Sequence, residues 1–588
     1  MKNKVSQIGS NILIIFQKYT SVLIASTVMA AAAITLVEYS AMTEKEEQLL
    51  FRILFTSALG ISLLFAFNMM SQRFGKRLLF EIVGLLILLG FFFILPSDKE
   101  KLNVVYAFII FGSFVLSHLF VSFAPFFKSN NETSFWAYNK SLFIGLIQTG
   151  IFTFVLIIGV LSAVAAVENL FSIRMPKNIY AELTILLGIV GSTIIFLLFQ
   201  QGGLEHMKAE SPYPEVLKFF TQYILIPLLL VYGTILYLYT IKIIILFELP
   251  KGWISFMVLA YSVFGILALL LVYPLKKDNS KSWVFVFQKV FFYSLIPLII
   301  LLFFAIQTRL LDYGFTEPRY FVFVAAIWLT GIVLYYIFIP NNSIKWIPIS
   351  LFIVVLFSLF IPYFNVFSVS VRSQEKDLQR ILIENKLLVN GKIDFKKEIA
   401  DSVADNIEDK FEFLSERFKY QSLKSYLSED LQKSFKNQTV WSVEGLFLNL
   451  KTSKTSEQSS YYDFTVYYKV PFMDITSYDY VIPFNQIEKG DVTIGNDVFS
   501  LKQRRENSQF FKLILNDQNG IDLMPFFKTY FEKIPQKKGQ MDADNLYFDF
   551  KLGNYQIRYI CYSLSRRNNQ GEISYDSYDG YFLIKILN

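Results

Sequence analysis

The chain has 588 residues, of which 54% are hydrophobic and only 18% charged, with 55 Lys and Arg against 48 Asp and Glu and a formal net charge of +7. This balance lies outside the soluble globular class and marks a membrane protein. The single cysteine, Cys561, rules out an intramolecular disulfide and a thiolate metal site, and two histidines, His118 and His206, argue against a multi-histidine centre or a Ser-His-Asp hydrolase.

Charge is unevenly distributed. Residues 1–365 carry 25 Lys/Arg and 17 Asp/Glu, which leaves 30 and 31 for residues 366–588. The basic surplus therefore belongs to the apolar part, and no solvent-exposed segment has the excess that nucleic-acid binding relies on.

Runs of about 20 apolar residues suffice to cross the hydrocarbon. They predict helices near 20–39, 51–70, 79–96, 104–127, 141–167, 183–201, 217–248, 254–274, 283–306, 321–340 and 347–365. The first is read as a retained span rather than a cleaved leader, because its apolar core is too long and ten more spans follow. Alternate loops place about fourteen Lys and Arg on the side of the N-terminus and nine on the other, together with most of the acids. The expected topology is thus a multi-pass protein of the bacterial cytoplasmic (inner) membrane, with a cytoplasmic N-terminus and, after an odd number of crossings, a periplasmic C-terminal domain. Short loops imply one compact bundle. Pro227 and Pro297 fall inside spans seven and nine, where a kink would suit a transport site but is also tolerated in ordinary membrane helices.

Four ionisable side chains within spans are candidates for function by default: Glu81, His118, Lys242 and Lys289. Glu81, Lys242 and Lys289 fall within two turns of span ends, where snorkelling accounts for them, and only His118 sits deep. On the predicted outer face, ELPKGW at 248–253 and LDYGFTEPRY at 311–320 bring Glu248, Lys251, Arg309, Asp312, Glu317 and Arg319 to one rim. Such a balanced set suits either a salt-bridged plug or a site for a zwitterionic or phosphorylated head group.

The sequence here resembles the bacterial membrane proteins grouped as domain of unknown function 4153. The resemblance is carried by LPKGW at 249–253 with Ser255, YGFTEPRY at 313–320 with Trp328, FSVSVRSQ at 367–374, ENKLLVNGKI at 384–393 and ITSYDYVIPF at 475–484, where Ser477 stands at a position usually held by glycine. It covers residues 210–490 and implies an architecture but no reaction.

After Asn365 the pattern becomes amphipathic, with Leu378, Ile381, Leu382, Leu387 and Leu388, then Ile399, Val403, Ile407, Phe411 and Leu414, at helical spacing on either side of Asn390-Gly391. From Tyr461 onward alternation predicts strands at 461–470, 478–484, 492–501, 547–551, 555–563 and 581–587, with turns at Gly495-Asn496, Gly553-Asn554 and 568–571, and a helix over 521–534. The fold class is therefore a polytopic α-helical membrane bundle of about 11 transmembrane helices (1–365) followed by an extramembrane α+β domain (366–588). That domain has helices over about 373–436 and then a mostly antiparallel sheet. Tyr461, Tyr462, Tyr478, Tyr480, Tyr575, Tyr578 and Tyr581 offer the flat, amphipathic area that binding surfaces use, and equally that of ordinary sheet packing.

No phosphate loop, nucleophile elbow or zinc signature is present, and no catalytic residue, cofactor or metal is expected. The leading expectation is a non-enzymatic envelope component that contacts membrane lipid and whose residues 366–588 meet a protein or cell-wall partner. A transporter or lipid flippase built on spans 7–10 is the alternative. A lipid-linked glycosyl transferase is a second alternative, weakened by the short loop 40–50 with Glu44, Glu46 and Glu47.

Overall fold

The computed structural model describes residues 13–39, 42–98, 103–129, 131–173, 175–208, 213–246, 253–276, 282–340, 342–394, 397, 399–417, 420–429, 432, 460–467, 475–504, 510–526, 541–542, 547–569 and 572–587. The chain divides into two compact units, Met1–Asp377 and Leu378–Asn588.

In the first unit, ten helices among the described residues are long and apolar enough to cross a membrane. They are α1 (Thr20–Glu38), α2 (Glu44–Phe74), α3 (Arg77–Ile94), α4 (Val104–Phe123, prolonged by a 3₁₀ turn to Phe126), α5 (Glu132–Phe171), α6 (Ile179–Phe199), α7 (Glu215–Leu246), α8 (Trp253–Val272), α9 (Ser282–Tyr313) and α10 (Glu317–Phe338). An eleventh, α11 (Trp346–Phe360), is apolar but has 15 residues. That gives it about 22 Å, shorter than the roughly 30 Å hydrocarbon core. Trp346 at its start and Tyr363 just beyond its end are both exposed, as interfacial aromatics are.

Local chemistry sets the helix limits. Thr43 and Glu46 form a reciprocal capping box at the start of α2, which consumes the acids of the 40–50 loop as helix-terminus groups, and α2 ends at Gly75 in the left-handed region (φ 72°). π turns interrupt α6 at Leu187–Gly191 and α7 at Phe220–Leu225. Pro227 lies two residues beyond the end of the second, where the wider turn relieves the clash its ring makes with a regular α-helix.

Among the described residues, a small cluster of Leu116, Leu359 and Val366 and two large hydrophobic cores lie in this unit. One joins residues of α1–α6 with Ile344 and Ile349, and is rich in fully enclosed aromatics such as Tyr19, Phe126 and Tyr138. The other is built from α7–α10 around Leu236, Val258, Leu295, Leu298, Leu302 and Ala326. Lipid is as apolar as these side chains, so close packing rather than water exclusion holds the helices together. Gly265 on α8 illustrates this: a Cβ there would lie 2.0 and 2.1 Å from ring carbons of Phe291 on α9.

The helix α12 (Val366–Glu384) contains the division between the units. In the second unit, Asn390-Gly391, both at positive φ, turn a small hairpin of β1 (Leu388–Val389) and β2 (Lys392–Ile393). The amphipathic α13 (Asp401–Ser415) buries Ile407, Phe411 and Leu414, and the short α14 (Tyr420–Ser425) follows it. β3 (Ser460–Tyr467), β4 (Tyr480–Pro483), β9 (Met541–Asp542), β10 (Tyr547–Leu552), β11 (Tyr555–Asn569) and β12 (Glu572–Ile586) form one sheet in the order β4-β12-β11-β3-β9, with β10 also paired to β11. A second sheet runs β5 (Val492–Ile494), β6 (Asp497–Arg504), β7 (Phe510–Leu515), β8 (Asn519–Asp522). Every pairing is antiparallel except β3 with β9. Phe499, Phe511, Ile557, Tyr559, Cys561 and Phe582, each fully buried, form the shared core.

Two sequence expectations are corrected here. The strand expected over 478–484 ends at Pro483, and Phe484 instead opens the helix α15 (Phe484–Lys489), drawn into the core against Phe511 at 5.5 Å. The helix expected over 521–534 loses its start: Ile521 and Asp522 close β8, and the Asp522 carboxylate accepts the Met524 N–H at 3.0 Å, so helical residues begin only at Met524. Residues 527–534 lie outside the described residues.

Candidate functional site

At the rim, Glu248 and Lys251 lie outside the described residues. Arg309 and Asp312 occupy the last turns of α9, and Glu317 and Arg319 the first turn of α10, with Gly314 (φ 69°) turning the chain between them. Arg319 donates to the carbonyls of Tyr313 (3.1 Å) and Gly314 (3.0 Å) and lies over the Tyr313 ring, while Glu317 is buried. The same turn is gripped from α12. Ser373 Oγ accepts the Phe315 N–H at 2.8 Å, and Gln374 Nε2 donates to the carbonyls of Tyr313 (2.9 Å) and Phe315 (2.8 Å). A Cβ on Gly314 would meet Ser373 Oγ at 2.9 Å and Gln374 Nε2 at 3.0 Å, so glycine is needed for both backbone conformation and space. The segments YGFTEPRY and VRSQ are thus brought together as a latched turn in which the Arg319 guanidinium serves backbone carbonyls.

The intramembrane residues are not gathered into one place. Glu81 pairs with Arg77 at 2.8 Å across one helical turn. His118 lies on the exposed side of α4, its Nδ1 2.8 Å from the Phe114 carbonyl of its own helix, and Lys242 is exposed near the end of α7. Lys289 differs, because it lines a cavity of about 550 Å³.

That cavity is walled by the end of α8 (Leu269) and the 3₁₀ turn after it (Tyr273), the early part of α9 (Lys289, Phe292), the end of α10 (Tyr336) and the connection into α11 (Asn342). The Tyr336 ring stacks on Phe292 at 4.3 Å and 11°, and its hydroxyl is buried with no hydrogen-bond partner. Asn342 Nδ2 donates to the Tyr336 carbonyl at 3.2 Å, fixing the connection against the end of α10. Nearby, Glu132 at the start of α5 accepts hydrogen bonds from Ser343 Oγ and, at 3.1 Å, from the Ile344 N–H. Trp136 Nε1 and Tyr213 Oη donate to the carbonyls of Leu270 (2.8 Å) and Leu271 (3.0 Å), capping α8. The result, among the described residues, is a largely apolar chamber that Lys289 and the unengaged Tyr336 phenol line, with an amide at its edge, in the size range of small-molecule sites. Sequence reading took Lys289 as a snorkelling residue and passed over Tyr336 and Asn342. An aromatic within a span reads as packing, and the one available signal was the polar cluster Tyr335-Tyr336 and Asn341-Asn342 at a span end.

Among the described residues no group of three or more His, Cys, Asp or Glu side chains is placed to hold a metal. On the sheet, Arg558 of β11 makes a two-pronged pair with Asp549 of β10 (2.6 and 2.7 Å) and lies over Tyr547 (4.1 Å) and beside Tyr478 (5.9 Å). Tyr480 of β4 is also exposed. The side chains of Tyr461, Tyr462, Tyr575 and Tyr578 lie outside the described residues.

Fold and site together define a multi-pass α-helical membrane protein with a C-terminal α+β unit. The chain belongs to the family "Domain of unknown function (DUF4153)", whose sequence model matches residues 30–396. The match reaches back through the early spans, which the motifs alone did not identify, takes in the β1–β2 hairpin and stops before the two larger sheets. A relative, "Uncharacterized protein PM1469" of Pasteurella multocida (strain Pm70), is 31% identical over 175 residues, covering 29% of each chain. No solved structure matches.

Proposed function

We propose that the protein works through its membrane bundle, as a non-enzymatic component of the bacterial inner membrane that binds, and by alternating exposure moves, a lipid-like amphiphile within α7–α10. The observation that carries this reading is the cavity between α8, α9 and α10, with its apolar wall and the buried, unengaged Tyr336 hydroxyl. The extent of the family match supports it, since residues 30–396 take in most of the bundle and leave out the two larger sheets. The π turn beside Pro227 supplies an irregular backbone of the kind transport helices use. We place the N-terminus in the cytoplasm on the strength of the lysine and arginine distribution, and the C-terminal unit in the periplasm on the strength of α11 acting as an eleventh crossing between Trp346 and Tyr363. The test is native mass spectrometry of the full chain extracted from membranes. A retained lipid is expected, and it should be lost in Leu269→Trp, which fills the chamber; equal lipid retention by a folded Leu269→Trp would refute the reading.

A second reading, that residues 366–588 meet an envelope protein or cell-wall partner, is favoured by the exposed Tyr547 and half-buried Tyr478 that flank Arg558. A photo-crosslinking residue at position 547 in living cells should then give a discrete adduct, and a clean lane would count against it.

A further inference from the structure

We infer that Glu132 is the gate residue of the α8–α10 chamber: its carboxylate pins the connection into α11 (342–345) and the 3₁₀ turn after α8 together at one end of the chamber, and release of those bonds opens it. This rests on the amphiphile reading above and adds how passage of the ligand is controlled.

The connection is itself part of the wall. Asn342 and Ile344 line the chamber, with Ile347 one turn further on, so the path of residues 342–345 sets how wide the chamber is. Side chains from other segments hold that path. The Ser343 N–H donates to Tyr335 Oη at 2.7 Å, Lys345 Nζ donates to the Ser129 carbonyl at 2.7 Å, and both the Ser343 hydroxyl and the Ile344 N–H (3.1 Å) donate to Glu132. The hydroxyl of Tyr273, which lines the chamber from the 3₁₀ turn, bonds to the same carboxylate. One group therefore ties two walls together. A carboxylate suits this task, because its two oxygens offer about four acceptor sites and its charge makes each bond about twice as strong as a neutral one.

Glu132 is a fixed post. Phe135, Trp136, Ala137 and Tyr138, in the next turn of α5, are all buried in the α1–α6 core, and Trp136 Nε1 also holds the Leu270 carbonyl. The connection hangs from this post by side-chain bonds and by Ile344, which is buried in the same core, and bonds of that kind are exchanged without unwinding a helix. The starts of α5, α9 and α11 and the ends of α8 and α10 meet at one face of the bundle, the face we place in the cytoplasm. Opening the connection thus exposes the chamber on that side, as alternating exposure requires.

The test introduces Ile347→Cys into the full chain and follows its modification by a water-soluble methanethiosulfonate in detergent. The native Cys561, fully buried in the sheet core, gives the background. The Ile347→Cys thiol, at a buried position, should react slowly while Glu132 is present. Glu132→Gln, which replaces one accepting oxygen by a donor, should speed the reaction about tenfold, and Ser343→Ala, which removes one bond to the carboxylate, about threefold. Glu132→Gln should also shed retained membrane lipid about tenfold faster, read by native mass spectrometry over time. Asn68→Ala, which loosens the α1–α6 seal without touching the connection, should change neither rate. Labelling equally slow in Glu132→Gln, or in Ser343→Ala where Glu132→Gln does not fold, overturns the gate and leaves the amphiphile site to stand on the Leu269→Trp result. Equal acceleration by Asn68→Ala overturns it as well. Where Leu269→Trp removes the lipid, faster labelling without faster lipid loss makes Glu132 a brace and overturns the gate. Where Leu269→Trp leaves the lipid in place, the amphiphile reading falls, and faster labelling still supports an opening governed by Glu132.

Discussion

The two cores of the bundle treat polar groups at corresponding helix ends in opposite ways. In the α1–α6 core, Tyr19 Oη donates to the Gln200 carbonyl (2.9 Å), Asn68 Nδ2 to the Lys18 carbonyl (2.7 Å), Gln72 Nε2 to Asn68 Oδ1 (2.7 Å), and Leu204 N–H to Gln72 Oε1 (2.8 Å). Gln200 also exchanges hydrogen bonds with Ser141 at 3.3 Å in both directions. Amides with two donors and two acceptor lone pairs knit neighbouring helices into a seal. In the α7–α10 core the corresponding end offers rings instead, and rings leave a chamber with the Tyr336 hydroxyl unengaged. One half is tied across its helices by side-chain amides, and the other leaves the Tyr336 hydroxyl unengaged at the wall of a chamber.

The contrast can be broken or sharpened by substitution. The largest effect is expected at Gly265→Val, where the new side chain meets the Phe291 ring: about 3 kcal/mol of destabilisation, read by thermal unfolding in detergent and lost in part when Phe291 is shortened to Leu. Asn68→Ala should cost about 2 kcal/mol, because it leaves the Lys18 carbonyl and the Gln72 amide of the seal without that partner. The paired removal of one hydroxyl from each core is the sharpest comparison. Tyr19→Phe should cost about 1 kcal/mol, whereas Tyr336→Phe should cost roughly nothing in lipid-free detergent, since its hydroxyl makes no bond within the protein. Equal costs for the two would erase the distinction.

The C-terminal unit provides a separate and smaller effect, dependent on pH. Hydrogen bonds from Tyr555 (2.7 Å) and Asn516 (2.6 Å) hold the Asp497 carboxyl below its usual range, and the same bond to Asp497 pushes the Tyr555 phenol up to about 12. A lowered carboxyl contributes stability above its unfolded value of about 4 and loses it as pH falls further; a raised phenol contributes below about 10 and loses it as pH rises toward the folded value. Hydrogen exchange of β6 and β11 should therefore speed up at both extremes, and Asp497→Asn should flatten both limbs.

Hydropathy made the spans legible, because a bilayer demands a long apolar run whatever the helix packs against. The Gly495-Asn496 turn was legible for a similarly local reason, since few residues other than glycine accept positive φ, whereas Asn390-Gly391 was legible as a break between helices and not as the hairpin that takes Leu388 into β1. Phe484 was misread because alternation continues into it, and only its pull toward Phe511 decides for helix. The rim was legible as a cluster and not as a latch, since the groups that grip Tyr313 and Phe315, the accepting Ser373 hydroxyl and the donating Gln374 amide, come some sixty residues on. The chamber was least legible. An empty space has no residue of its own, and Tyr336 and Lys289 gain their meaning from what lies between them.

The most direct test is a density map of the full chain in nanodiscs made from native membrane lipid. The expected result is elongated density in the α8–α10 chamber, its polar end within hydrogen-bonding distance of Tyr336 Oη. A well-resolved map in which the chamber is collapsed or filled by side chains, with the Tyr336 hydroxyl bonded to the protein itself, would contradict it.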